Sequence, residues 1–513
     1  MANPTFPESP PVDTERETAL DAAPSQLAAE EPSFARTVGM VGVGLAIFGA
    51  AIFLFNEISG PRIISKPLGT LLFLIGLVFM LYHAVRDANI DVRRTYGILL
   101  GFGLVGVAAV LTLVSNGELL VTYGAASLVG GLCFLLAFAR HEDDPQWRPI
   151  VVGVLAALGG AQALVAFVSI VLNPDYVAGA GGVLGLIGLL YLGGTLAQFD
   201  EDAPWRRQLA IGLAALAAFG IVYVAIRSWF PAMFGAADRP FFVPGGLIVL
   251  LLSVLYGALA LGTLSDAPLV VMTRRELGAF FYSPIAYLVW LGMAMLLGLN
   301  HLFFVLRLGE GGTFREPIVR QLVWNLIGAI GTVMFVPAIT MRLLAEEKRS
   351  GTYEVLMCAP VREGYVVLSK FFAGLIFFML LWVPMGLYLV GLRIEAGKPF
   401  DYRPLLSFYL ALLFSGAAFI AMGVFFSSLT RNQIIAFVLT LAVMVLQLLF
   451  FMIEGFRGIS PLWQSVFHHL GYLNLWSSAI DGRLPVRDIV LQGSLCVFWL
   501  FLTVKVVEAR RWS

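Results

Sequence analysis

The stretch MRLLAEEKRSGTYEVLMCAPVREGYVVLSK, residues 341–370, interrupts the otherwise apolar second half of the chain. A hydrophobic span leads into it and another leaves it. Between them lies a polar module with a helix start, a helix stop and charges of both signs. A link that only had to reverse the chain between two spans would not need such structure. The stretch therefore reads as a docking surface for a cytoplasmic partner.

Composition sets the setting for that reading. The chain has 513 residues, of which 59% are hydrophobic and 13% charged, with a mean hydropathy of +0.87. Soluble domains carry about 25% charged residues, and a chain this apolar lacks the polar surface to fold in water. The expected class is an all-α polytopic membrane protein, each span needing roughly 20 apolar residues. The long unbroken runs exclude the ~10-residue alternating segments of a membrane β-barrel. The net charge of zero argues neither for nor against nucleic acid, and none is expected among the partners. Cys133, Cys358 and Cys496 lie far apart, without metal-ligand spacing or a disulfide framework. No metal and no cofactor are expected in this chain.

Residues 1–36 form a Pro-, Ala-, Ser- and Glu-rich tail with no signal-peptide pattern, read as a disordered cytoplasmic segment. Eight spans are expected in an N-terminal membrane domain over 37–265: Thr37–Phe55, Leu68–Val85, Gly97–Ser115, Leu119–Ala139, Ile150–Leu172, Gly179–Gln198, Gln208–Ser228 and Pro244–Leu264. Gly130-Gly131, Gly159-Gly160 and Gly193-Gly194 would let helices approach closely. Three polar turns form a weak repeat: Asp87–Arg94, Glu142–Arg148 and Asp200–Arg207 each place acids first and arginine last, before an Ala/Gly/Leu helix. Duplicated hairpins would produce this pattern. So would the ordinary preference of helix N-termini for acids and of bilayer interfaces for Trp and Arg.

The next segment, 266–284, is too short and too charged to span. Leu269, Met272, Leu277 and Phe280/Phe281 recur at helical spacing, interrupted by Arg274, Arg275 and Glu276. It reads as an amphipathic helix in contact with membrane lipid. A second membrane domain, 285–513, follows with six spans: Ala286–Leu306, Leu322–Thr340, Phe371–Leu392, Leu405–Phe426, Ile434–Ile453 and Ile489–Val507. The total is about fourteen, and an even count puts both termini on one side. With both termini in the cytoplasm, 20 Lys and Arg fall inside and 13 outside, the bias expected of cytoplasmic loops.

Within the opening stretch, Leu343–Arg349 reads as a solvated continuation of the preceding span. Ser350-Gly351 ends it. Thr352 can cap a second helix, Glu354 suits its first turn, and Pro360 stops it. The expected helix, about Tyr353–Ala359, is roughly 10 Å long. It is too short to stand alone. Lys370 is expected at the membrane interface.

The run Glu346–Val361, followed by Lys370, closely resembles the segment between the second and third spans of ABC-2-type transporter permeases. Within that family it is most similar to the permeases of gliding motility and multi-copper-enzyme maturation. The similarity covers about 268–513. It implies that this loop holds a coupling helix docking into a separate ABC ATPase subunit. Glu347, Gly351, Thr352, Glu354, Leu356 and Pro360 match the family pattern; with Arg349 and Tyr353 they make the expected docking set. Cys358 stands where the family varies, and residues 37–265 fall outside its six-span core. The resemblance also implies a second permease unit, a homo- or heterodimer, and short re-entrant helices within Gly455–Asp488.

The sequence contains no G-x-x-x-x-G-K-[S/T] phosphate loop, so ATP and magnesium would sit on the partner. No nucleophile–base or carboxylate pair suggests an enzyme. Adjacent His468-His469 make a poor metal pair. Asn325 and Gln447 read as interhelical hydrogen-bonding groups, Glu454 as interfacial, and Asn300-His301 as solvated near a helix end. The expected protein is thus a multi-pass exporter permease in the cell inner membrane. The alternative is a non-transporting scaffold or force-transmitting component using the same ATPase. An ion-coupled transporter is disfavoured by the scarcity of charges within the spans.

Overall fold

The computed structural model describes residues 34–52, 66–86, 89–114, 124–142, 144, 146–172, 180–198, 204–230, 246–309, 320, 326–352, 362–386, 388, 403–454 and 460–511. Every regular element among them is helical. Among the described residues, ten helices are long and apolar enough to cross a membrane, and Ile248–Leu264 with Pro268–Phe281 forms an eleventh candidate bent by 107°. Three shorter apolar helices, Leu72–Arg86, Ala125–Arg140 and Gly182–Gln198, occupy the positions of the other expected spans. The protein is a multi-pass α-helical membrane protein. Residues 1–33 of the expected disordered tail lie outside the described residues, and its last three, Phe34–Arg36, instead begin the first helix. The chain divides into two compact units, Met1–Arg206 and Arg207–Ser513.

The first unit contains α1 (Phe34–Ile52), α2 (Lys66–Arg86), α3 (Ile90–Tyr96), a π-helical turn at Gly97–Phe102, α4 (Gly103–Val114), α5 (Ala125–His141), α6 (Trp147–Leu172) and α7 (Gly182–Gln198). Leu135, Leu155 and Tyr191 lie at the centre of its core. The Tyr191 hydroxyl donates to the Leu128 carbonyl at 2.8 Å, so the ring is buried without an orphaned polar group. The Gly-Gly pairs are not equivalent. A Cβ on Gly159 would lie 2.8 Å from Tyr191 and Leu192 side-chain atoms and 3.1 Å from the Leu192 backbone nitrogen, whereas one on Gly160 would meet nothing within 4 Å. Gly159 therefore sets the approach of α6 to α7.

The polar turns connect one hairpin to the next. Arg94 donates two hydrogen bonds to the Glu142 carboxylate, both at 2.8 Å, and a third to Asp144 at 3.2 Å. Arg148 in turn donates to the Gln198 carbonyl at 3.4 Å. Each arginine reaches the C-terminal end of the helix that precedes the following polar turn, where carbonyl dipoles favour a cation. Glu142 is buried. The hydrogen bond from Arg94 outweighs its burial and holds its carboxyl below the usual range.

The second unit contains α8 (Pro204–Trp229, which begins at the unit boundary), α9 (Gly246–Leu264), α10 (Pro268–Phe281), α11 (Pro284–Gly309), α12 (Leu326–Thr340), α13 (Ala345–Ser350), α14 (Glu363–Leu381), α15 (Arg403–Leu429), α16 (Gln433–Glu454), α17 (Pro461–Leu470), α18 (Tyr472–Ile480) and α19 (Val486–Arg511). Its centre is α15: 67% of its apolar window is buried, against 17% for α16 and for α19. The short α18 inserts Tyr472, Leu475 and Trp476 into the core. It is fixed to α15 by hydrogen bonds from Trp476 Nε1 to Ser415 Oγ (2.9 Å) and from Ser407 Oγ to the Ala479 carbonyl (2.6 Å). Trp382, Phe408 and Trp476 stack edge-on around that joint.

Two sequence expectations fail here. Asn300 is buried rather than solvated, because α11 runs on to Gly309 and carries it into the packed part of the helix. His301 beside it stacks on Tyr388, with ring centroids 4.9 Å apart. The span expected to start at Phe371 begins at Glu363, which places Lys370 inside the packed helix and not at its membrane entrance. Asn325 lies outside the described residues.

Two outcomes follow. Gly159→Ala should lower the thermal stability of the detergent-solubilised protein by roughly 1–3 kcal/mol through overpacking, while Gly160→Ala should leave it unchanged; size-exclusion chromatography after heating reads both. The depressed Glu142 carboxyl contributes stability that is full above the unfolded carboxylate pKa of about 4.3 and is lost as pH falls through its lower folded value. Acid unfolding of the first unit should therefore move to higher pH in Arg94→Met.

Candidate functional site

The polar link begins where α12 stops. The Met341 amide still bonds back to the Pro337 carbonyl at 2.9 Å, but the Leu343 amide bonds only three residues back, to Thr340, at 3.2 Å. Residues 341–344 form a turn. The next two amides, Leu344 and Ala345, both donate to Ser427 Oγ on α15, at 3.1 and 3.0 Å. Ser427 Oγ donates in return to the Met341 carbonyl at 3.1 Å. One hydroxyl thus caps the new helix from a neighbouring element, satisfying amides that a helix start leaves unpaired. The approach requires Gly423, since a Cβ there would fall 2.2 Å from Thr340 Oγ1.

This corrects the reading of Leu343–Arg349 as a solvated continuation. Leu343, Leu344, Ala345 and Lys348 are buried, and Lys348 Nζ donates to the Ser428 carbonyl. Apolar Leu343 and Leu344 turn inward because the helix breaks after Thr340 and swings them onto the end of α15. The resulting α13 has six residues, with Glu346 and Glu347 in its first turn and Lys348 and Arg349 in its last, matching the dipole at both ends. It ends at Gly351, whose φ of +76° is a left-handed conformation that glycine adopts without a Cβ clash. Ser350 Oγ and Thr352 Oγ1 are 2.8 Å apart across that turn. Arg349, Ser350, Gly351 and Thr352 are exposed. Tyr353, Glu354, Leu356 and Pro360, and with them the expected helix Tyr353–Ala359, lie outside the described residues.

Glu347 points the other way. Its carboxylate lies 2.6 Å from Lys370 Nζ, which is also 2.9 Å from Glu276 on α10. Lys370 is only 1% exposed. The expected place for it was the membrane interface; it instead binds two elements together inside the protein. A buried ammonium needs such partners, because desolvation without them would cost several kcal/mol. Of the three charged residues singled out on α10, Arg274 and Arg275 are exposed, and Arg275 donates to Glu276 at 3.0 Å. Burial alone would raise the Glu276 carboxyl. The charge and hydrogen bond of Lys370, with Arg275, outweigh burial and hold it below its ordinary range.

Two further contacts close the corner. Arg342 donates to Ser283 in the turn after α10 and pairs with Glu346 at 3.2 Å. Phe280 on α10 stacks on Phe377 of α14 with ring centroids 4.9 Å apart. The site therefore joins α10, the start of α14 and the segment 341–352, and seats that segment on the end of α15.

Elsewhere in this unit, His469 at the end of α17 lies 3.2 Å from Asp488 on α19. Among the described residues no group of three or more His, Cys, Asp or Glu side chains could hold a metal ion. Lys370 and Ser427 were missed by sequence reasoning. The signal for Lys370 was present: a lysine set in Val-Val-Leu-Ser-Lys-Phe-Phe-Ala must be paired or functional. Nothing in the sequence marked Ser427.

Residues 314–475 match the family model described as ABC-2 family transporter protein. No curated protein and no solved structure matches the chain. The matched segment runs from α12 into the first turn of α18; it includes residues 341–352, Lys370 and Ser427 but not α10 with Glu276. The chain carries an ABC-2-type permease domain.

Ser427→Ala should remove the cap on α13 at a cost of about 1 kcal/mol. Hydrogen exchange at the Leu344 and Ala345 amides should accelerate several-fold, while the α15 core stays protected.

Proposed function

We propose that this protein is the membrane subunit of an ABC exporter and takes its energy from a separate nucleotide-binding subunit docked at residues 341–360. The observation that carries this reading is the seating of Met341–Ser350. A short helix that could not hold itself is fixed to α15 and α14 by Ser427, Lys348 and Glu347, while Arg349–Thr352 remain exposed at its end. Fixed at the root and exposed at the tip, the segment can receive a push and pass it to the spans.

ATP binding on the partner would favour one arrangement of the bundle over another, and only that difference in affinity can shift the equilibrium. The six-span unit would work beside a second permease unit, in the inner membrane, with both termini and the docking segment in the cytoplasm. The lack of a phosphate loop in the sequence fits an ATP-Mg site on the other subunit.

Affinity purification from native membranes should retain a phosphate-loop ATPase. Glu354→Lys should reduce that retention at least tenfold with normal membrane insertion. Unchanged retention would refute docking at this loop. Retention of the ATPase with no ATP-dependent flux in vesicles would favour a force-transmitting scaffold over an exporter.

A further inference from the structure

Lys370 holds two carboxylates with one ammonium, and the two are not held alike. Glu276 is the more enclosed: its side chain is 12% exposed, against 21% for Glu347. Glu276 sits on a 14-residue helix that packs against α14 through the Phe280–Phe377 stack, with Phe281 edge-on to the same ring. It also has a second cation, Arg275. Glu347 sits on a six-residue helix that ends in a left-handed glycine. Among the described residues its cationic partner is Lys370.

We propose that the Lys370–Glu347 pair is a releasable latch: Lys370 stays on Glu276, and Glu347 leaves when the docking segment is taken up by its partner. This rests on the ATPase-docking reading and names the residue through which it acts. Release leaves a neutral Lys370–Glu276 pair inside the protein, so no buried ammonium is stranded. The opposite exchange, in which Lys370 followed Glu347, would pull a buried lysine out of α14 and away from the aromatic stack. The latch therefore opens on one side only. The contacts of α13 with α15 remain, so the segment pivots on Ser427 and Lys348 while its Glu347 face separates from α14. The Arg342–Ser283 hydrogen bond lies next to that pivot and holds the α10–α11 corner during the movement. Lys370 is a positioning residue in this scheme; it touches no substrate.

The test uses the full chain with its copurified ATPase in lipid nanodiscs, with native cysteines replaced and spin labels at two pairs of positions. One pair, Arg274 and Ser350, spans the latch; the other, Arg274 and Arg362, reports α10 against α14. A non-hydrolysable ATP analogue should shift the first distance by more than about 2 Å, larger than an ordinary interface adjustment, and leave the second unchanged. Glu347→Gln should give the shifted first distance without nucleotide. An unchanged first distance with ATPase bound would overturn the latch and leave the docking reading intact. A shift in both distances would also overturn it, since α10 would then have left α14. If no ATPase is retained, the docking reading itself fails, and the latch with it.

Discussion

One buried ammonium organises the permease unit. Lys370 is 1% exposed, and burying an ammonium is costly without carboxylate partners, which the fold brings from two directions. One comes along α10, a helix that the 107° bend after α9 turns away from the spans. The other comes from α13, which exists as a separate helix only because α12 breaks after Thr340 and Ser427 caps the new start. If either element moved away permanently, a charge would be left in the interior. The requirement to pair one lysine thus fixes three elements that lie far apart in sequence. It does so at the end of the bundle that carries the exposed residues Arg349–Thr352.

The first unit meets a similar requirement with different chemistry. Its spans pack through small residues, and its polar turns tie successive hairpins together at one end. Arg94 does this with a bidentate carboxylate and Arg148 with a helix-end carbonyl. The shared geometry gives the first two turns of the weak sequence repeat a structural role: each ends in the cation that the next hairpin needs. In those two turns it accounts for the acids-first, arginine-last order without assigning any chemistry to them. The two units thus use ion pairs in different ways. In the first a bidentate pair fixes neighbours, and in the second one cation divides itself between two anions.

The spans were legible in the sequence because a membrane leaves the backbone few choices, and long apolar runs must become helices. Each expected span overlaps a described helix. The helix stop at Gly351 was legible for a local reason, since only a residue tolerant of positive φ ends a helix in that way. The break after Thr340 was not legible. It depends on a hydroxyl more than eighty positions away, and Leu343-Leu344 looks the same in a continuing helix as in a turn that tucks inward. The inward aim of Glu347 was hidden for the same reason. A glutamate before Lys-Arg on a helix surface suits solvent or a partner equally well, and only the register of α14 reveals the lysine waiting for it. Resemblance identified the loop, but the partnership between Lys370 and Glu276 came from packing.

On the proposed function, the tip left exposed beyond Gly351 meets an ATPase. Photo-cross-linking from Thr352 in native membranes tests this most directly. A photoreactive side chain at that position should give an adduct with a nucleotide-binding subunit, lost when Glu354 is changed to Lys. Adducts only to lipid or to this chain itself, with the ATPase captured elsewhere on the protein, would contradict the account.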